Sequence, residues 1–339
     1  MDKENRTFSH KYIDLHLHLD GAVTCDIAER LADMQEIILP AEGEALEKLL
    51  SVGEDCKDLN EFLECFELPL KLLQMAEALS ECAFLVAEKM REQGVIYAEI
   101  RFAPQLHCEK GLTQREAVEA VIKGLSRSTL KTGLILCCMR GKGIEEKNLE
   151  TAALAKEYLG KGVCALDLAG AEGLFPTADF EELFVKVRGS GVPFTIHAGE
   201  ADGAMSVMKA IEFGAARIGH GVRINEDEEL VKLIAEKSIP LEMCPTSNKL
   251  TRASEDMDKY PFMDYLSRGI KVTVNTDDPA IERTDIAAEY RFMERRYGMT
   301  AQQEMKVLMN AADAAFASDD LKAWLREELL AAGVTEDGV

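Results

Sequence analysis

Four of the six histidines in this chain stand at the ends of short apolar segments, in settings where they could bind a metal ion. His16 and His18 are two residues apart in the run YIDLHLHL, His197 comes three residues before Glu200, and His220 lies between two glycines. Residues two apart in a strand leave the same face, so the side chains of His16 and His18 can converge on one cation. His197, at the end of another run, is a third candidate ligand.

Two adjacent carboxylates, Asp277 and Asp278, follow a further apolar run, KVTVNT. Adjacent strand residues point in different directions, so these two acids are expected to do different work. Three neutral imidazoles and one carboxylate suit zinc, which activates water for attack on an electrophilic carbon. Glu200 and His220 then remain as an acid and a base, and the residues together predict a metal-assisted hydrolase or deaminase.

Eight short runs rich in β-forming residues alternate with longer helical patterns along the chain. The runs span 12–19, 95–102, 133–139, 163–169, 193–198, 216–221, 239–244 and 271–276. Strict alternation predicts parallel strands joined by right-handed crossovers, and eight such units close a barrel. We therefore predict an α/β protein, a single (β/α)8 TIM barrel over residues 1–339. The histidines and acids fall at the carboxyl ends of its strands, where barrel enzymes place their chemistry.

Two regions exceed a minimal barrel. Residues 21–93 form a long helical excursion after the first strand, and residues 280–335 add helices at the C-terminal end. The excursion can serve as a lid over the active face or as a packing element.

Composition excludes several classes of function. The net charge of −22, from 61 acids against 39 bases, disfavours binding to nucleic acid or to an anionic membrane surface. The chain has no apolar run of about 20 residues and begins with a charged segment, so we expect a cytoplasmic protein. Its nine cysteines are scattered without a C-x-x-C pair, which predicts small buried residues rather than zinc ligands.

Seven segments closely resemble the adenosine deaminase family. They are HLHLDG (16–21), RFAP (101–104), DLAG (167–170), HAGEADG (197–203), RIGHG (217–221), CPTSN (244–248) and NTDDP (275–279), in family order from the first strand to the eighth. The resemblance implies a zinc-dependent TIM-barrel enzyme that hydrolyses adenosine, and also 2′-deoxyadenosine, to inosine and ammonia. It implies one Zn²⁺ per chain and a small-molecule purine nucleoside as the binding partner.

The resemblance also implies the metal ligands and the catalytic residues. The zinc ligands would be His16, His18, His197 and Asp277. Glu200 would protonate N1 of the purine and relay protons, and His220 would orient and activate the attacking water.

Four residues are implied as substrate contacts. Asp20 would bind the ribose 5′-hydroxyl, the backbone N–H of Gly170 would reach N3, and Asp278 would contact N7. His18 would lie against the substrate as well as binding zinc.

One departure from the family pattern leaves the substrate open. Many members read GDE after DLA, whereas this chain has Ala171 before Glu172. The alternatives are another 6-aminopurine, namely a 5′-modified adenosine, aminofutalosine or adenine. Adenine deaminases of this superfamily tend to carry Glu where this chain has Asp20, so Asp20 favours the nucleoside.

A second alternative is a barrel that binds zinc or a nucleoside without catalysis. It would predict the loss of Glu200 or His220, and both residues are present. The H-x-E triplet at 107–109 matches part of a different zinc deaminase signature, but no P-C-x-x-C accompanies it, and we interpret it as coincidental.

Overall fold

The computed structural model describes residues 11–53, 56, 59–254 and 256–332. Each of the eight predicted runs coincides with one β-strand, and the ends differ by no more than two residues. The strands are β1 (Tyr12–His18), β2 (Val95–Phe102), β3 (Lys131–Met139), β4 (Val163–Ala169), β5 (Thr195–Ala198), β6 (Arg217–His220), β7 (Leu241–Met243) and β8 (Val272–Val274).

The strands are all parallel and follow one another in chain order. β1 to β4 form one sheet and β5 to β8 form a second. Single parallel bridges join the sheets at both edges, Leu166 to Phe194 and Leu17 to Asp277, and two backbone hydrogen bonds of 2.8 Å hold the second junction. The eight strands are therefore arranged as the sequence predicts for a (β/α)8 barrel.

Helices separate the strands and surround them. In the described part of the chain they are α1 (Cys25–Gln35), α2 (Gly43–Leu50), α3 (Leu59–Glu64), α4 (Glu67–Leu72), α5 (Ala76–Glu92), α6 (Gln114–Leu125), α7 (Glu145–Tyr158), α8 (Glu181–Arg188), α9 (Ala204–Phe213), α10 (Glu228–Lys237), α11 (Pro245–Leu250), α12 (Phe262–Ser267), α13 (Ile286–Tyr297), α14 (Ala301–Ala314) and α15 (Asp319–Ala332). The predicted excursion contains α1 to α5, and the C-terminal region contains α13 to α15. None of these helices combines the length and the apolar character that a membrane span requires.

Along β2, successive side chains point alternately to the outer layer of helices and to the interior of the barrel. Ile100 and Phe102 are fully buried in the apolar core that the strands share with the surrounding helices. Glu99 and Arg101 are also fully buried, but they point to the opposite face, into the interior of the ring. The barrel therefore has an apolar outer layer and a charged interior.

The interior charges form one connected network. Arg101 donates to Asp167 Oδ2 at 2.9 Å and to Glu242 Oε2 at 2.8 Å. Arg217 donates to Glu242 Oε1 and to Glu99 Oε2, both at 2.6 Å. These five residues come from β2, β4, β6 and β7, so the network spans the ring beneath the carboxyl ends of the strands.

A glycine permits the close approach of α5 and α6. A Cβ placed on Gly124 would lie 2.1 Å from the Ser80 carbonyl oxygen and 2.9 Å from Ala83 Cβ. The two helices could accept that atom only by moving apart.

We expect Gly124→Ala to lower the free energy of unfolding by about 1–3 kcal/mol, because overpacking outweighs a helix-propensity gain of about 1 kcal/mol. Gly189→Ala is the matched control, since Gly189 has right-handed helical dihedrals and its nearest neighbour atom would be 3.6 Å from the new Cβ. Urea unfolding followed by circular dichroism compares the two variants. Coincident curves for Gly124→Ala and the wild type would contradict the close packing.

Candidate active site

Four predicted ligands converge at the carboxyl ends of the strands. His197 Nε2 lies 3.0 Å from His16 Nε2 and 3.2 Å from His18 Nε2. Asp277 Oδ1 lies 3.2 Å from His16 Nε2 and 3.4 Å from His18 Nε2. Ligands that share one ion at about 2.0–2.1 Å have mutual separations of this size. The four side chains therefore fit a single divalent metal ion.

The backbone fixes Asp277 relative to the histidine pair. Its N–H donates to the His16 carbonyl oxygen, and its carbonyl oxygen accepts from the His18 N–H, both at 2.8 Å. Asp277 has a φ of +60°, in the left-handed region that few residues other than glycine adopt. These two hydrogen bonds hold that conformation and aim the carboxylate at the imidazoles.

Buried carboxylates orient two of the ligands. The Nδ1–H of His16 donates to Glu242 Oε2 at 2.8 Å, and that of His197 donates to Asp167 Oδ2 at 2.9 Å. A carboxylate on Nδ1 leaves the lone pair of Nε2 free for a metal ion. Burial alone would raise the pKa of Glu242, but Arg217 and Arg101 lower it well below its usual value, so this partner stays anionic.

His220 and Glu200 lie together beside the ligand cluster. His220 Nε2 is 3.6 Å from Glu200 Oε2 and 3.7 Å from Asp277 Oδ2, and it has no hydrogen-bond partner among the described residues. Its Nδ1 accepts from Asn248 Nδ2 at 3.0 Å, and Tyr260 donates to Asn248 Oδ1 at 2.9 Å. With Nδ1 as the acceptor, Nε2 of the neutral ring carries the hydrogen and points it toward the site.

Burial gives His220 and Glu200 opposite protonation tendencies. It lowers the pKa of His220 well below its usual value, which keeps the imidazole neutral. Burial, followed by the charges of Asp277 and Glu172, raises the pKa of Glu200 to about 8. The site thus pairs a neutral imidazole with a carboxyl group that holds its proton near neutral pH, which is the equipment for general acid catalysis.

The predicted substrate contacts line one cavity of about 260 Å³ beside the ligand cluster. The lining includes the predicted substrate contacts His18, Asp20, Gly170 and Asp278 and the predicted catalytic residues Glu200 and His220. Most of the remaining lining is apolar and includes Phe62, Leu63, Phe66, Leu70, Leu106 and Met139. Because α3, α4 and the residues between them supply four of these apolar side chains, the excursion after β1 forms part of the cavity wall. Ala171 lines the cavity as well.

Asp278 depends on a glycine for its place in the cavity. A Cβ on Gly21 would lie 1.8 Å from Asp278 Oδ1, so only glycine leaves room for this carboxyl group. Burial, followed by the charges of Asp277 and Asp20, raises the pKa of Asp278 well above its usual value. Asp278 Oδ1 also lacks a hydrogen-bond partner in the described chain. A protonated Asp278 can therefore donate a hydrogen bond to a bound molecule.

Several residues that support the site have no role in the sequence-based prediction. Asp167, Arg101 and Asn248 lie within motifs quoted for the resemblance, and Glu242 lies in the seventh run, so their positions were visible but their contacts were not. His107 belongs to none of the candidate metal groups in the described residues, and its Nδ1 donates to the Leu73 carbonyl oxygen at 2.9 Å.

A parallel (β/α)8 arrangement with three imidazoles and a carboxylate at its strand ends defines the class of metal-dependent barrel hydrolases. The sequence model of the family described as adenosine deaminase matches residues 12–332. The chain therefore belongs to the adenosine deaminase family.

Individual relatives agree with this membership. An adenosine deaminase of Haemophilus ducreyi is 47% identical over 323 residues, which cover 92% of this chain and 94% of that protein. An adenosine deaminase of Clostridium botulinum (strain Okra) is 40% identical over 93% of this chain and 95% of that protein. Among solved structures, an adenine deaminase of Arthrobacter aurescens superposes with a TM-score of 0.85 at 27% identity, covering 94% of this chain and 98% of that one.

We expect Asp167→Asn to weaken metal affinity by roughly 10–100-fold, because His197 loses the carboxylate that orients its ring. Asp179→Asn is the control, since Asp179 is exposed on a short 3-10 helix in the segment that follows the same strand. Metal content after dialysis against graded chelator concentrations measures the difference. If Asp167→Asn retained metal as well as Asp179→Asn does, the orienting role would be wrong.

Proposed function

We propose that this chain is a zinc-dependent adenosine deaminase that converts adenosine and 2′-deoxyadenosine to inosine or deoxyinosine and ammonia, acting as one barrel domain. The observation that carries the proposal is the convergence of Glu200 and His220 on the space beside the four-ligand cluster. An acid with a raised pKa and a neutral imidazole beside a metal site suit the addition of water to a purine carbon. Membership of the adenosine deaminase family supports adenosine as the substrate.

Zinc is the metal that the donor set favours. Three imidazole nitrogens and one carboxylate oxygen suit Zn²⁺, whereas Mg²⁺ and Ca²⁺ prefer sites built from oxygen atoms. His16, His18, His197 and Asp277 would hold the ion. When bound, zinc supplies Lewis-acid activation of water near neutral pH.

The protein side chains would manage the protons. Glu200 donates a proton to N1 of the purine as the water oxygen adds to C6, which removes the aromatic character of the ring and makes C6 tetrahedral. The Nε2–H of His220 donates a hydrogen bond to the added oxygen and holds it in place. The Glu200 carboxylate then takes up, one at a time, the two protons that the added oxygen releases. It passes the first to the amine at C6, which leaves as ammonia, and it keeps the second as the C6 carbonyl of inosine forms.

The cavity supplies contacts on the other edges of the purine and on the sugar. The protonated carboxyl group of Asp278 would donate to N7, the backbone N–H of Gly170 would donate to N3, and Asp20 would accept from the ribose 5′-hydroxyl. Lysine and arginine are both missing from the described lining of the cavity, so a phosphate group would find no cationic partner there. The lining therefore favours a nucleoside over a nucleotide.

The test is to incubate the zinc-loaded protein with adenosine, adenine and AMP and to measure inosine, hypoxanthine, IMP and ammonia. We expect adenosine to react with the highest kcat/KM, and we expect Glu200→Gln to lose on the order of 10² or more in kcat while keeping its zinc. Glu212→Gln in α9, whose carboxylate is half exposed, is the control for the loss of one charge. Faster turnover of adenine than of adenosine would overturn the substrate assignment, and wild-type turnover by Glu200→Gln would overturn the role of the acid.

Activity should also fall on the alkaline side. An acid catalyst works only while it holds its proton, so its contribution is present below its pKa and is lost as the pH rises through it. The pKa of Glu200 is about 8 from burial and neighbouring charge, and a bound dication lowers it further. The alkaline limb of kcat should therefore fall at or below pH 8, as measured by initial rates with saturating adenosine. A flat profile to pH 9 would show that the proton comes from another group.

A further inference from the structure

A single buried carboxylate binds the whole turn that carries Glu200. Glu172, in the loop after β4, is only 1% exposed. Its Oε1 accepts from the Gly199 N–H at 2.8 Å. Its Oε2 accepts from the N–H groups of Glu200, Ala201 and Asp202 at 3.0, 2.8 and 3.0 Å. Four consecutive backbone amides thus converge on one side chain from a different loop.

A series of polar side chains forms hydrogen bonds on the other side of this carboxylate. Ser206 Oγ donates to Glu172 Oε1 at 2.5 Å, and Thr177 Oγ1 lies 2.6 Å from Ser206 Oγ. Arg140 donates to Thr177 Oγ1 at 3.0 Å and to the carbonyl oxygen of His197 at 2.6 Å. These hydrogen bonds therefore connect the backbone of His197, a candidate metal ligand, to the turn that follows it.

The turn needs such an acceptor. Gly199 has a φ of +72°, which favours glycine. The backbone N–H groups of a tight turn point toward its interior, where no strand or helix provides them with acceptors. Buried amides without an acceptor are costly, so the turn would rearrange if the acceptor were removed. The direction of the Glu200 side chain would change with it.

We propose that Glu172 is a positioning residue for deamination, which sets Glu200 at a fixed place relative to Gly170. The inference rests on the proposed function, in which Glu200 meets purine N1 and the Gly170 N–H meets N3. These ring atoms are separated by a single carbon, so the two donors must keep a fixed spacing. Glu172 follows Gly170 by two residues and binds the Glu200 turn directly, and it therefore ties the two donors together.

The carboxylate form is essential to this role. Five donors reach Glu172, two on Oε1 and three on Oε2, and the side chain donates to none of them. A glutamine offers one acceptor oxygen, and its NH₂ group would face backbone N–H groups. Glu172→Gln therefore keeps the size of the side chain and removes acceptors for part of the turn.

The experiment compares Glu172→Gln with Glu182→Gln, an exposed carboxylate on α8, in zinc-loaded full-length protein. We expect Glu172→Gln to lower kcat for adenosine at least tenfold, with KM changed less than threefold and zinc content unchanged, because misplacement of a catalytic group by about 1 Å can cost 10²-fold in rate. Glu182→Gln should match the wild type. A general loss of structure would instead reduce zinc content and active fraction together, without this separation of kcat from KM.

Hydrogen–deuterium exchange provides a second readout that does not depend on activity. Peptides that cover residues 199–202 should exchange faster in Glu172→Gln than in the wild type and Glu182→Gln, while peptides from β2 and β3 should not change. If Glu172→Gln does not fold, Glu172→Asp replaces it, since that side chain keeps both acceptors but withdraws them from the turn. The expected direction in both readouts is the same.

The outcomes separate this inference from the proposed function. If the wild type deaminates adenosine and the folded Glu172 variant keeps kcat within twofold, or loses zinc in proportion to its activity, positioning by Glu172 is overturned. If the wild type does not deaminate adenosine, the proposed function fails, and the exchange of residues 199–202 still decides whether Glu172 holds the turn. Unchanged exchange in that region would overturn the inference in either case.

Discussion

The interior of the barrel depends on Arg101, which joins Asp167 and Glu242 in a space with no access to water. A guanidinium group and carboxylates are costly to bury, and they are tolerated only when each finds good partners. Here the partners of the arginine are also the partners of two imidazoles of the candidate metal site, since Asp167 and Glu242 accept from His197 and His16. The same two carboxylates therefore balance the charge of the arginine and orient two of the candidate ligands.

Raised pKa values explain why the site tolerates several acids. Asp20, Glu200, Asp277 and Asp278 share one cavity wall, and their mutual repulsion would be severe if all were ionised. Burial and the charges of Asp277 and Glu172 raise the pKa of Glu200 to about 8, and burial with the charges of Asp277 and Asp20 raises the pKa of Asp278 well above its usual value, so protonation of these two acids relieves part of the repulsion. The same protonation makes hydrogen-bond donors from groups that usually accept. In the proposed function, these donors meet the nitrogen atoms of the purine ring.

Features that depend on local sequence patterns could be predicted, whereas those that depend on contacts between distant residues could not. The strands were predictable because apolar runs alternate with helical patterns, and the candidate ligands because the chain has only six histidines, four of which stand at the ends of those runs. Asp167 and Glu242 were not predictable as ligand partners, because an inward-facing acid on a strand looks the same whether it meets an arginine or a histidine. Glu172 shows the limit most clearly, since four of its five partners are backbone amides, which leave no trace in residue type.

The junction between β8 and β1 has a consequence for how the enzyme is made. Asp277 belongs to the candidate metal site and, through its backbone, also joins the last strand to the first. During synthesis His16 and His18 leave the ribosome with the first strand, whereas Asp277 follows about 260 residues later, a delay on the order of 10–50 s at the usual rate of about 5–20 residues per second. The nascent chain thus carries an incomplete set of ligands until its final strand emerges. With the ligand set proposed above, completion of the metal site and closure of the ring would then coincide late in biogenesis.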